Sequence, residues 1–245
     1  ALLAGVPSLL YIKGELANPI IDRLCLILAS RVLFFSPQNR DDLYPNFIHW
    51  FRRKIDILRI GLDPALIKEL RGREQPGLRQ ELEIDPDCIN AVVLGQLYAP
   101  KGQHFAIEAL ARLVKKFPQI RLYIVGDHVI KEYRAYKTKL EELIDQYGLG
   151  RHVNFTGWRE DALDIVNMMD IVIHPSLAEG FGRAVLESMA LGKPVIVSEV
   201  GGLREAIQNG QNGFLVTPGD VNTITLRWQE LISSPDLRQR LGEAA

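Results

Sequence analysis

Two glutamates eight positions apart, Glu179 and Glu187, flank a glycine-bearing turn in the stretch E-G-F-G-R-A-V-L-E. Just before them, Asp170-Ile-Val-Ile-His174 is short, apolar and β-branched, the composition of a buried strand. Gly180 and Gly182 have no Cβ to obstruct a positive φ or a close backbone approach. After them Ala184, Val185, Leu186, Met189, Ala190 and Leu191 give one apolar helical face, Gly192-Lys193-Pro194 stops the helix, and 194–198 reads as the next strand. A strand, glycine loop, helix and strand of this length implies parallel strands, with a ligand crevice at their carboxyl ends. The N–H groups of Gly182, Arg183 and Ala184 then lack intrahelical acceptors and form an anion site. Helical side chains lean toward the N-terminus, so Glu187 leans back toward the crevice that Glu179 enters from its loop. Carboxylates there are poor phosphate ligands and good acceptors for sugar hydroxyls, a combination that suits a nucleotide sugar. The plainer alternative makes Glu187 a solvated helix carboxylate and Glu179 a loop acid near a helix dipole.

With Pro175-Ser176 before it and A-L-G-K-P-V-I after it, this E-x7-E block resembles the donor-site signature of the family-four (group 1) retaining glycosyltransferases. The resemblance extends over nearly the whole chain from about Ala1. It implies an α/β protein of the GT-B fold, with two facing Rossmann-like doubly wound domains of which the N-terminal one is incomplete here. It also implies transfer of a sugar, with retention and without a metal or other cofactor, from a nucleoside diphosphate donor. UDP-sugar is the foremost expectation, and GDP- or ADP-sugar remains open. The acceptor would be a glycan, a lipid-linked molecule or a small molecule, in glycan or polysaccharide biosynthesis. In that resemblance Glu179 is a catalytic residue on the sugar hydroxyls and Glu187 holds the ribose. Gly180, Phe181 and the Gly182, Arg183 and Ala184 amides complete the donor site.

Further candidates lie at the ends of other apolar runs. Gly95-Gln-Leu-Tyr-Ala-Pro-Lys101-Gly102 resembles the family's G-R-L-x-x-x-K-G, whose arginine and lysine neutralise the diphosphate and stabilise the leaving group. Lys101 is in place as the second catalytic residue, but Gln96 stands where the arginine belongs. A neutral amide does not replace a bidentate guanidinium, so this clamp is one charge short. Gly126-Asp127 matches only the first half of the family's V-G-x-G, since His128 and Val129 follow; Asp127 is read as a cap for a helix beginning near Ile130. Phe155-Thr156-Gly157-Trp158 resembles the loop lining the base pocket, where Trp158 is equally well a ring beside the base or a core aromatic. Lys13-Gly14 takes the place of the family's His-Gly, where the histidine approaches the donor sugar near its sixth carbon. A lysine there suits an anionic donor or acceptor such as a uronic acid, or is simply a solvated loop residue. His174 is read as structural, and Gly201-Gly202 resembles a phosphate-facing or acceptor-side loop.

To position these residues the chain must alternate strands and helices. Strands are expected at 8–12, 31–35, 55–59, 89–94, 120–125, 152–155, 170–174, 194–198 and 213–216. Helices are expected at 19–29, 40–43, 103–117, 131–147, 160–168, 183–191 and 203–208, a doubly wound pattern. Gly61-Leu62-Asp63-Pro64 breaks the pattern and resembles the family's N-G-x-D crossover, with Ile60 in the asparagine's place. Residues 69–87 read as a charged connector with a short helix. The expected domains are 1–72, part of the acceptor-side domain plus crossover, and 73–245, the nucleotide-sugar donor domain. Because the chain opens on Ala1 in an apolar pattern, a longer N-terminal portion is expected before it; the family's last helix is expected to lack a counterpart.

Bulk properties narrow the class. With 245 residues and 47% apolar content there is material for a full core. Twenty-nine basic against thirty acidic residues leave a net charge of −1, without the footprint of a nucleic-acid binder. Cys25 and Cys88 form no CxxC or Cys/His cluster, so a reduced, cytoplasmic setting is expected. No apolar run approaches the roughly 18 to 20 residues that span a bilayer, and no signal-peptide pattern is present, which leaves peripheral membrane contact open. No metal-ligand spacing appears. Two other classes stay in view. One is a non-catalytic nucleotide-sugar-binding module, favoured by Gln96 and Lys13. The other is a glycoside hydrolase with Glu179 and Glu187 roughly 5 to 9.5 Å apart, which has no use for a phosphate site.

Overall fold

The computed structural model describes residues 7–12, 19–43, 53–59, 61–73, 75–128 and 134–245. Its contacts divide into two compact units. The smaller comprises Ala1–Gly61, Ala178–Arg183 and Val200–Ala206, and the larger comprises Leu62–Leu177, Ala184–Glu199 and Ile207–Ala245.

In the smaller unit, β1 (Leu9–Ile12), α1 (Pro19–Leu28), β2 (Arg31–Phe34), α2 (Pro37–Leu43) and β3 (Ile55–Ile57) follow one another, and the strands pair in parallel in the order β1-β2-β3. Ile12, Leu26, Ala29, Val32 and Phe34 form its core.

The larger unit opens with α3 (Pro64–Leu70) and α4 (Pro76–Glu81). Asp63 caps α3 by accepting from the N–H groups of Ala65 and Leu66, and Pro64 takes the first helical position. Residues 62–72, grouped in the sequence reading with the first domain, make their contacts here. Asn167 Nδ2 donates to Leu70 O at 2.6 Å, and Arg73 lies 3.7 Å from Asp164. Then come β4 (Ile89–Leu94), α5 (Gln103–Leu113), β5 (Ile120–Val125), α6 (Arg134–Tyr147), β6 (Val153–Gly157), α7 (Ala162–Asn167) and β7 (Ile171–His174). After these follow α8 (Arg183–Ala190, its first residue grouped with the smaller unit), β8 (Val195–Ser198), β9 (Phe214–Val216), α10 (Val221–Ser233) and α11 (Pro235–Glu243), while α9 (Leu203–Ala206), between β8 and β9 in the chain, belongs to the smaller unit.

Strands β4 to β9 form one parallel sheet in the order β6-β5-β4-β7-β8-β9. Both faces of such a sheet are covered, which is why β7 and β8 are buried at every residue and carry no polar alternation. The order runs outward from β4 in one direction and resumes on its other side with β7. That reversal leaves a crevice at the carboxyl ends of β4 and β7. Trp228 of α10 is fully buried in the core with Leu110, Leu122, Ile124, Ile196 and Leu231.

The α/β class and parallel sheets agree with the sequence reading, while several boundaries move. Helix α2 starts at Pro37 rather than Arg40, β6 runs on to Gly157, and α3 and α10 were not expected. Among the described residues no helix is long and apolar enough to cross a membrane, and no three His, Cys, Asp or Glu residues cluster to hold a metal ion.

Candidate functional site

In the larger unit, three strand-end loops are laced together through their backbones. Gly95 N donates to Val125 O at 2.9 Å, Leu97 N to Asp127 O at 3.1 Å, and Gly126 N to Gly157 O at 2.9 Å. Gly126 has φ +137°, and a Cβ there would lie 2.1 Å from Gly95 O, so only glycine permits the crossing. The result is a cleft of about 280 Å³ whose lining includes Gly95, Gln96, Gly126, Asp127, Trp158 and Arg159. Trp158 is 68% exposed, so of its two readings the core one is excluded: the ring stands on the rim. Arg159 beside it is fixed by Asp161 through two bonds of 2.8 and 2.7 Å and by Glu81 at 2.6 Å. Burial alone would raise the Asp127 carboxyl, but the His128 backbone N–H and ring hold it below the usual range. The helix start expected near Ile130 falls outside the described residues.

Lys101 ends a single 3-10 turn, Ala99–Lys101, that leads into α5. Gly102 follows it in the left-handed conformation at φ +72°, and a Cβ there would lie 2.1 Å from Pro175 O. Leu177 N donates to Pro100 O at 2.7 Å, so the lysine turn lies directly against the exit of β7. This is the switch point of the sheet, and the K-G pair stands at it. Behind the turn, fully buried Gln103 donates from Nε2 to Gln96 O at 2.8 Å and fixes the peptide of Gln96. Tyr136 OH lies 2.8 Å from His104 Nδ1 and accepts from His104 N at 3.4 Å, tying the first turn of α5 to α6. Burial, with Lys139 nearby, pushes His104 down to about 4. His174 is buried, with Nε2 3.0 Å from Ser176 Oγ. Ala184 and half-buried Glu187 lie on α8, where Ser188 Oγ donates to Ala184 O at 2.7 Å.

Glu179, Gly180, Phe181, Gly182 and Arg183 belong with the smaller unit. Gly201-Gly202, read from sequence as a ligand-facing loop, has a packing role toward them. Gly202 N donates to Gly180 O at 3.1 Å. A Cβ on Gly201 would lie 1.9 Å from Glu179 O, and one on Gly202 2.4 Å from the Phe181 ring. Gly182, at φ +77°, is seated in the same way against Leu203. Buried Phe181 approaches Phe35 with ring centroids 6.4 Å apart, and Phe35 meets Tyr11 edge-on at 4.9 Å. Glu205 accepts from Gln38 N at 3.0 Å. Phe35 and Gln103 support site residues without any sequence signal beyond apolarity or an isolated amide. Lys13 lies outside the described residues.

The family model for glycosyl transferases group 1 matches residues 74–245, which carry every candidate above except Lys13. The chain belongs to the group 1 glycosyltransferases. It is 33% identical over 184 residues to EpsD of Bacillus subtilis (strain 168), covering 75% of this chain and 47% of that protein. To the D-inositol 3-phosphate glycosyltransferase of Corynebacterium urealyticum it is 34% identical over 156 residues, 62% of this chain and 37% of the other. The chain thus spans about half the length, or less, of these curated relatives. The crystal structure of Anabaena Alr3699/HepE in complex with UDP superposes with a TM-score of 0.84 at 26% identity, covering 99% of this group 1 chain and 67% of that one. The same Anabaena protein has also been solved with UDP-glucose.

Proposed function

We propose that this group 1 chain binds a nucleoside diphosphate sugar, UDP-sugar foremost, and that the protein transfers the sugar to a glycan, lipid-linked or small-molecule acceptor with retention. The observation that carries the reading is the switch-point crevice. There Gly102 lets the Lys101 turn lie against the exit of β7, beside loops whose glycines hold the backbone close enough for a nucleotide. The Anabaena neighbour solved with UDP and UDP-glucose supports the choice of donor. Residues 73–245 are proposed as the donor domain, with 1–72 as part of the acceptor-side domain and the crossover.

In this reading Trp158, Gly95 and Gln96 border the base and diphosphate. Lys101 and the Gly182 to Ala184 amides take up the charge that grows on the diphosphate as its bond to the sugar breaks. Gly180 and Phe181 shape the turn with Arg183, Glu187 holds the ribose, Glu179 orients the transferred sugar, and Lys13 faces an anionic group of donor or acceptor. Catalysis is then leaving-group stabilisation and positioning, without a metal. A cytoplasmic location, with or without contact at the inner membrane face, accompanies this proposal. Gln96 favours one second reading, a module that binds the donor without turning it over.

A thermal-shift panel of UDP, GDP and ADP with their sugars tests the proposal, since a ligand at a hundred times its Kd stabilises by about 2.7 kcal/mol. A shift with one base alone identifies the donor. No shift with any of them at millimolar concentration overturns the reading, and binding without donor hydrolysis or transfer by the whole protein selects the module.

A further inference from the structure

At the opposite end of β5 and β6 a second cleft, of about 460 Å³, opens against the connection from α4 to β4. Its wall includes Arg121 and Tyr123 of β5, Arg151 and His152 from the turn before β6, and Glu83 and Asp85 from the connection. The first cleft meets β5 at Val125 and this one at Arg121 to Tyr123, so the two open toward opposite ends of the strand, their nearest lining residues on it two positions, about 7 Å, apart.

The donors on this wall outnumber the acceptors offered to them. Arg121 hydrogen-bonds protein only through Nη1, which donates to Pro118 O at 3.0 Å and Ile120 O at 2.9 Å and lies 3.1 Å from His152 Nδ1, while its charge also acts on the Asp85 carboxylate. Among the described residues its Nε and Nη2 meet no acceptor, Arg151 makes no hydrogen bond or ion pair, and His152 Nε2 has no partner. The turn N–H groups of Leu149 and His152 are bonded, to Ile144 O and Leu149 O, while those of Gly150 and Arg151 between them are not bonded to any described group. On the acid side, Asp85 is already engaged by Asp87 N at 2.9 Å and by Cys88 Sγ at 3.4 Å, which hold its carboxyl below the usual range. Glu83 sits at φ +51° with its carbonyl accepting from Tyr123 OH at 3.2 Å, and its carboxylate is exposed and without an ion pair among the described residues.

We propose that this cleft binds a phosphorylated sugar or polyol. The phosphoryl oxygens accept from the two guanidinium groups, from the Gly150 and Arg151 amides, and from His152 Nε2–H in the tautomer whose Nδ1, 3.0 Å from Ile120 O, accepts from Arg121 Nη1, a donor set that matches a tetrahedral dianion. A hydroxyl of the same ligand donates to Glu83, which would repel a bare phosphate. The volume is that of a small-molecule pocket rather than of an inorganic ion. Because the lining residues start strands whose other ends carry the nucleotide-side cleft, the site is independent of the donor site.

Titration calorimetry of the 245-residue chain with glucose 6-phosphate, inorganic phosphate and glucose, each with and without UDP, tests this. Glucose 6-phosphate is expected to bind whether or not UDP is present, more tightly than phosphate, and glucose not at all. Exposed Arg151, whose replacement leaves no partner stranded, gives the variant Arg151→Ala, expected to weaken glucose 6-phosphate about tenfold while sparing UDP. Glu83→Gln is expected to bring glucose 6-phosphate toward the affinity of phosphate. Absence of glucose 6-phosphate binding at millimolar concentration, its displacement by UDP, an unaltered Arg151→Ala, or phosphate binding as tightly as the sugar phosphate would each overturn the proposal. The arms without UDP report on this cleft even if the chain binds no nucleotide.

Discussion

Glu179 and Glu187 differ in what each would touch, so their removal should fail differently. Glu187→Ala is expected to weaken UDP and UDP-glucose alike by about 1.5 to 3 kcal/mol, the worth of a hydrogen bond to a charged group. Glu179→Ala should spare bare UDP and lower turnover by the whole protein, as for a group that orients the reacting centre. Calorimetry of both variants with both ligands decides, and equal losses of UDP and UDP-glucose in Glu179→Ala would refute its assignment. The missing arginine gives a second expectation. Gln103 holds the carbonyl of Gln96 rather than its side chain, so Gln96→Arg keeps the loop and restores the cation; UDP should bind about tenfold tighter. An unchanged affinity would mean that the clamp does not operate here. At this scale the candidate residues are legible as candidates, because E-x7-E and K-G are local in sequence. Their supports are not: the need for glycine at Gly102 and Gly201 comes from carbonyls of Pro175 and Glu179 that are distant in the chain or brought close only by folding. Trp158 was ambiguous because burial belongs to the tertiary structure, not to the residue.

Helix α5 is held at its start by His104 and Tyr136, and this contact gives the element a pH dependence. Burial lowers His104 from its ordinary 6.5 to about 4. Above pH 6.5 the imidazole is neutral in both folded and unfolded chains, and its contribution to stability is fully present. As pH falls below 6.5 the unfolded chain takes up a proton that the fold refuses, and stability is lost until pH about 4, a loss on the order of 2 to 3 kcal/mol. Urea denaturation at stepped pH should show that decline flattened in His104→Gln; an identical slope in the two proteins would contradict it. The strands of the larger sheet were legible as continuous apolar runs because both faces are covered. Helices α3 and α10 were missed for a shared reason. Asp63-Pro64 reads as a breaker and Gly219-Asp220 has the same turn-forming composition, whereas Asp63 and Asp220 accept from the N–H groups of the helices they begin. The same side chain stops one element and starts the next.

For the whole molecule, the α/β class follows from the alternation of strands and helices, while a division into two units is what the resemblance to the group 1 family implies. The assignment of 178–183 and 200–206 to the smaller unit follows from neither, because it rests on contacts between residues far apart in sequence. Those loops contain Glu179 and Phe181, yet their partners include Phe35 and Gln38. A chain beginning at Leu62 retains the sheet β4 to β9 and the core around Trp228, so it should unfold cooperatively. It also retains Lys101, Trp158 and Glu187, and should still bind UDP. What it loses is the Phe35 ring beside Phe181 and the Gln38 N–H on Glu205. Local stability follows local contacts, so backbone amides in 178–183 and 200–206 should exchange with solvent faster than in the full chain, while those of β4, β7 and β8 keep their protection. In the proposed reading Glu179 orients the transferred sugar, so turnover of a UDP-sugar should fall further than UDP affinity. Hydrogen exchange with mass detection, paired with UDP titration of both chains, reads the two effects separately. Unchanged exchange in the two loops would show that Phe35 and Gln38 do not hold them. Loss of UDP binding by the shorter chain, with binding retained by the longer, would show that the nucleotide needs residues before Leu62 and would overturn the expectation that the remaining residues, Lys101, Trp158 and Glu187 among them, suffice to hold it.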